Sequence, residues 1–148
     1  MGLIVLATDF SEEARRAFDP CVDLAKRLGH EVMLVSVFEE MPFEVVAGGG
    51  LAAVYPDRTE LRADQEKQLQ AIASDLASRS GVPVRAELLE GSEVARTIAE
   101  FAVKRDAAFV AIATHGRSGI KRLLLGSVAE ALLRHAQTPV LVFPPRPE

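Results

Sequence analysis

The sequence predicts an open α/β fold, with five parallel strands in one sheet and helices packed on both faces. Three observations predict it. Short apolar runs alternate with longer segments of helical periodicity along the whole chain. The 148 residues match one typical domain, so a single unit spanning 1–148 is expected. The interior has to be aliphatic, because 49% of the residues are hydrophobic while Trp is absent and Tyr occurs once. Parallel strands joined through helices need right-handed crossovers, which cover the sheet on both sides.

The first run, Leu3–Ala7, is apolar throughout and is closed by Thr8 and Asp9. A strand without polar alternation is buried on both faces and belongs at the centre of the sheet. A helix over 11–28 follows, with Phe18, Cys21, Ala25 and Leu28 along its apolar stripe. Cys21 therefore reads as a core residue rather than a redox group, and a lone Cys has no intramolecular disulfide partner. A second strand covers 32–37. The stretch 38–58 is the least regular, with Gly48-Gly49-Gly50 inside it and Pro at 42 and 56. It reads as a flexible insertion, with a lid as the alternative, because it follows the carboxyl end of a strand, where open α/β sheets bind ligands.

The second half continues with a helix over 59–80 and a strand over 84–88, whose alternation of Val84, Arg85, Ala86, Glu87 and Leu88 marks an edge. A helix over 92–104 leads to a strand over 108–113, apolar and so central. A helix over 127–136 precedes Val140–Phe143. That last strand is apolar throughout although the opposite edge is its expected place, and an uncovered apolar edge invites pairing with another chain. A homodimer joined through Val140–Phe143 is the expectation. The implied strand order is 3-2-1-4-5.

Composition narrows the function classes. The apolar run at the N-terminus is far shorter than a signal-peptide core or a membrane span, so a cytoplasmic protein with no membrane partner is expected. A net charge of −4, from 17 basic and 21 acidic residues, argues against a general nucleic-acid surface. Any anion site must be local.

Such a site is suggested by residues 113–127, which run from the end of an apolar strand into the start of a helix. Gly116 and Gly119 allow close backbone approach to an anion, and Gly126 and Ser127 present the positive end of the last helix to the same region. His115, Arg117, Lys121 and Arg122 concentrate positive charge there, and phosphate is the natural counter-charge. Local alternatives stand beside this reading: Arg117, Lys121 and Arg122 also read as solvated loop charges, and two glycines three apart are common in turns. Ser127 and Glu130 have the spacing of a capping box, which explains Ser127 without a ligand, and Asp9 with Glu12 has the same spacing at the first helix. No general base is marked near His115, so no catalytic residue is assigned, and no metal site is identified.

Ala113–Phe143, with Thr-His-Gly-Arg-Ser-Gly, Leu-Leu-Leu-Gly-Ser-Val-Ala-Glu and Arg-His-Ala-Gln-Thr-Pro-Val-Leu-Val, resembles the C-terminal part of the universal stress protein family. The opening Ala7-Thr8-Asp9-Phe10-Ser11, and Gly91 through Ile98 to Ala102, are similar to the same family. The resemblance implies a Rossmann-like sheet of the adenine nucleotide alpha hydrolase-like kind. Members that bind ATP carry G-x2-G-x9-G-[ST]. Gly116, Gly126 and Ser127 fit that pattern, while Ala113 stands where its first glycine is expected. The resemblance thus implies an ATP site, with Mg2+ as companion ion, bounded by Ala7, Thr8, Asp9, Val37, Ala113, His115, Gly116, Arg117, Gly119, Gly126, Ser127 and Val128. In it Asp9 would face the adenosine, Val37 the adenine, and Gly116, Gly126, Ser127 and Val128 the phosphates and ribose.

Three functions compete: a nucleotide-binding regulatory module of the stress response, a slow ATP hydrolase, and a nucleotide-free dimeric adaptor of the kind the family's other branch implies. The chain lacks S-G-G-x-D-S, H-I-G-H, G-x-x-x-x-G-K-[ST] and G-x-S-x-G, so fast turnover is not expected. The regulatory module is the preferred expectation.

Overall fold

The computed structural model describes residues 1–40, 43–54, 57–114 and 125–144, with 43–47 and 51–54 as backbone only. Its main sheet has the strands β1 (Leu3–Ala7), β2 (Glu31–Glu39), β5 (Val84–Gly91), β6 (Phe109–Ala113) and β7 (Val140–Phe143), all paired in parallel. Their order is β5-β2-β1-β6-β7, which is the expected 3-2-1-4-5 when only these strands are counted. The helices are α1 (Glu12–Arg15), α2 (Phe18–Leu28), α3 (Thr59–Ser80), α4 (Val94–Lys104) and α5 (Ser127–His135).

Period-two alternation sends each strand's side chains to two different cores. Ile4, Leu6, Leu34 and Ala111 meet Phe18, Cys21 and Ala25 of α2 and Leu69, Ala73 and Leu76 of α3. Val5, Met33, Val35 and Val110 meet Ile98 and Ala102 of α4 and Ala129 and Leu132 of α5. Cys21 is fully buried, and burial pushes its thiol up to about 12, which leaves it inert as a nucleophile. The alternating strand lies at an edge: Arg85 and Glu87 are exposed while Val84 and Leu88 are buried. At the other edge, all four residues of β7 are half-buried.

Two expectations are corrected. The helix over 11–28 is broken into α1 and α2, with Arg16 and Ala17 donating backbone hydrogen bonds to Glu13 and Ala14, three residues back. Pro20 supplies the reason. A continuous helix would need an N–H at residue 20 for the carbonyl of residue 16, whereas a restart at Phe18 places Pro20 in a first turn, where no partner is required. The stretch 38–58 is also not irregular throughout. It contains an antiparallel hairpin of β3 (Phe43–Ala47) and β4 (Gly50–Val54). Gly48 and Gly49, with φ of 55° and 83°, form its two-residue turn, which demands positive φ at both positions.

Among the described residues, no helix is long and apolar enough to cross a membrane.

Candidate functional site

β1, β2 and β6 end side by side, and the chain leaves each of them in a different way. At the end of β1 the Thr8 N–H donates to the Val35 carbonyl at 2.9 Å, which carries the strand pairing one residue further. The Thr8 hydroxyl then accepts the Phe10 N–H at 3.1 Å, and Asp9 Oδ1 accepts the Ser11 N–H at 2.9 Å and the Ser11 hydroxyl. These bonds hold Phe10 at a φ of 67°, a left-handed conformation that costs a bulky residue on the order of 1 kcal/mol. The proposed capping box of Asp9 and Glu12 is not formed: Ser11 is the N-cap of α1, and its side chain accepts the Ala14 N–H. Asp9 lies outside the helix and on the wall of the cavity described below.

At the end of β6, Ala113 is still paired with Phe143 and is buried. Thr114 donates its N–H to the Phe143 carbonyl at 3.0 Å and accepts the Gly126 N–H at 2.6 Å. That second bond clasps the chain, so the start of α5 is held directly against the end of β6. The capping box of Ser127 and Glu130 is also absent. Gly126 is the N-cap, without a side-chain cap bond, Ser127 is the first helical residue, and Glu130 pairs with Arg134 at 2.6 Å. A capping glycine leaves the first-turn N–H groups with no cap side chain, which suits them to an anion. With φ at −60°, Gly126 needs no glycine for its own conformation. Its lack of a side chain matters only for close approach.

Between these ends lies a cavity of about 430 Å³, within the usual range for small-molecule sites. Ala7, Thr8, Asp9, Val37, Ala113, Gly126, Ser127 and Val128 all line it. His115, Gly116, Arg117 and Gly119 lie outside the described residues, as do Lys121 and Arg122. Val94 and Ile98 of α4 contribute to the apolar wall. Sequence reasoning missed Ser36, a buried polar residue on the wall, and Arg58 and Gln65 from the start of α3. Ser36 had a signal, as the polar interruption of an apolar strand. Arg58 had none.

A second hollow, of about 390 Å³, runs along α4 beside Leu89, Arg96 and Glu100 and shares no residue with the first. None of the eight described sequence candidates lines it. Among the described residues no group of three or more His, Cys, Asp or Glu is placed to hold a metal ion.

Residues 1–144 match the universal stress protein family. The chain belongs to that family. A universal stress protein of Methanocaldococcus jannaschii is 33% identical over 139 residues, covering 94% of this chain and 79% of the relative. The crystal structure of a universal stress protein family member from Burkholderia pseudomallei superposes with a TM-score of 0.71 at 27% identity, covering 97% of this chain and 96% of that one. Two further universal stress proteins share the fold and were solved with nucleotides. One, from Archaeoglobus fulgidus, is in complex with dAMP (TM-score 0.65, 23% identity, 96% of each chain). The other, from Arabidopsis thaliana, has AMP bound (TM-score 0.69, 16% identity, 99% of this chain and 93% of that one).

Proposed function

We propose that this universal stress protein binds ATP in the cavity at the ends of β1, β2 and β6 and acts as a regulatory module of the stress response. The observation that carries the reading is the convergence of all eight described candidate residues on one cavity, against an N-terminus of α5 capped by a glycine. The dAMP and AMP complexes of the two structural relatives support an adenine nucleotide as the ligand class.

The chemistry of the lining suits that ligand. Phosphates take the first-turn N–H groups of α5, where the helix dipole favours negative charge. The apolar wall takes the base, and Asp9 accepts from ribose hydroxyls or base amines. Mg2+ would be held through the phosphates and water, with little from protein carboxylates. The ligand-release experiment is direct. The purified protein is denatured and the supernatant chromatographed for adenine nucleotide, followed by calorimetry with ATP on stripped protein. Release of ATP with measurable rebinding is expected. Absence of both from folded protein would favour the nucleotide-free adaptor, and release of ADP formed from added ATP would favour the slow hydrolase.

The same module is proposed to pair with a second copy through β7, whose four apolar residues sit half-buried at the edge of the sheet. Light scattering should give twice the monomer mass. The double variant Val140→Lys, Val142→Asp should return the monomer, and an unchanged mass would remove the dimer.

A further inference from the structure

Arg58 stands on the β2 side of the cavity, away from α5, as the residue before the first turn of α3. Its guanidinium carbon lies 4.3 Å from the centroid of the Phe38 ring, and its Nη1 donates to the Glu39 carbonyl oxygen at 2.6 Å. Phe38 is itself packed into the core. The guanidinium therefore covers part of a ring that is otherwise buried, and both residues line this side of the cavity.

We propose that Arg58 contacts the base from the β2 side of the site, its guanidinium forming a platform on which the base of the bound nucleotide stacks. The inference rests on the reading that the cavity holds a nucleotide. Three physical points carry it. The cavity spans the ends of β2, β1 and β6, two strand spacings or roughly 10 Å, so phosphates at α5 leave the nucleoside pointing toward β2. A guanidinium is flat, delocalised and weakly hydrated, and it stacks on aromatic faces as an ammonium does not. Finally, the Phe38 ring and the Glu39 carbonyl already hold this one in place, so less side-chain freedom remains to be lost when a base arrives. The bond to Glu39 also joins the two ends of the inserted hairpin, which places the base contact at the hairpin's root.

Calorimetry with ATP and with inorganic tripolyphosphate on the wild type, Arg58→Ala and Arg58→Lys tests the proposal. Both variants should bind ATP about tenfold more weakly, in line with the loss of one stacked base, while tripolyphosphate binding stays within about twofold of the wild type. Equal losses for both ligands, or ATP binding restored by Lys, would make Arg58 a phosphate ligand and overturn the proposal. Full ATP affinity in both variants would also overturn it, leaving Arg58 as a tie between hairpin and sheet. The wild-type arm separates the two levels of the argument: if ATP fails to bind the unaltered protein, the nucleotide reading itself falls.

Discussion

The two sides of the cavity are built from different material. Near β6 the wall is formed by small residues, Ala113, Gly126 and Ser127 at the start of α5, with the Gly126 N–H clasped to the Thr114 carbonyl. Near β2 it is mainly side chain, with Arg58 lying over Phe38 and Ser36 beside them. Backbone dipoles suit a charge that every nucleotide shares, and they are lost only when bulk blocks the approach. Side chains can be exchanged one at a time, so on the proposed reading the β2 side is where preference among bases would be set. If this contrast is right, bulk should damage the β6 side most, and loss of specific contacts should damage the β2 side moderately.

Gly126→Val is expected to have the largest effect. The branched side chain would stand where phosphate approaches the first-turn N–H groups, and ATP affinity should fall by at least about a hundredfold, near 2.7 kcal/mol. Circular dichroism should be unchanged, with stability reduced by about 1 kcal/mol for a poorer cap. Full affinity in folded Gly126→Val would show that the phosphates lie elsewhere and would dissolve the contrast.

Asp9→Ala probes the ground between the two sides. It deletes the acceptor of both bonds from Ser11, so denaturant melts should show a loss of about 1–2 kcal/mol. ATP affinity should drop about tenfold with the nucleoside contact. A stability loss without any change in affinity would confine Asp9 to the turn around Phe10.

The smallest effect is expected at Ala113. An Ala at a position requiring positive φ would carry strain, but Ala113 is an extended strand residue paired with Phe143, and its methyl belongs to the α2–α3 side of the core. Ala113→Gly should therefore tighten ATP binding by no more than about threefold, while removal of a buried methyl lowers stability by about 1 kcal/mol. A tenfold gain measured by calorimetry would mean that the methyl touches the ligand, and would move the β6 wall inward.

Much of the fold was legible because each strand carries its own burial in its pattern. Leu3–Ala7 reads as central and Val84 to Leu88 as an edge without any knowledge of neighbours. The break at Pro20 and the hairpin at Gly48-Gly49 carried signals too, but ones that a count of apolar periodicity passes over. Among the described residues, the cavity wall was legible on its β6 side at Gly126, and nearly silent on its β2 side. An arginine between an insertion and a helix looks like any solvated charge.

By itself, the sequence determined the succession of strands and helices, the two-faced burial of β1 and β6, and a glycine-marked strand-to-helix connection suited to an anion. All of these depend on periodicity or on conformational limits felt within a few residues. Tertiary structure alone decided that Gly126, held to the Thr114 carbonyl, caps α5 in place of Ser127. It also brought Arg58 onto Phe38. Those outcomes depend on which distant carbonyl or ring meets each group: Thr114 for Gly126, Glu39 for Arg58. A local pattern specifies what a residue is able to bond, but the crossovers and the hairpin decide which partner comes within reach.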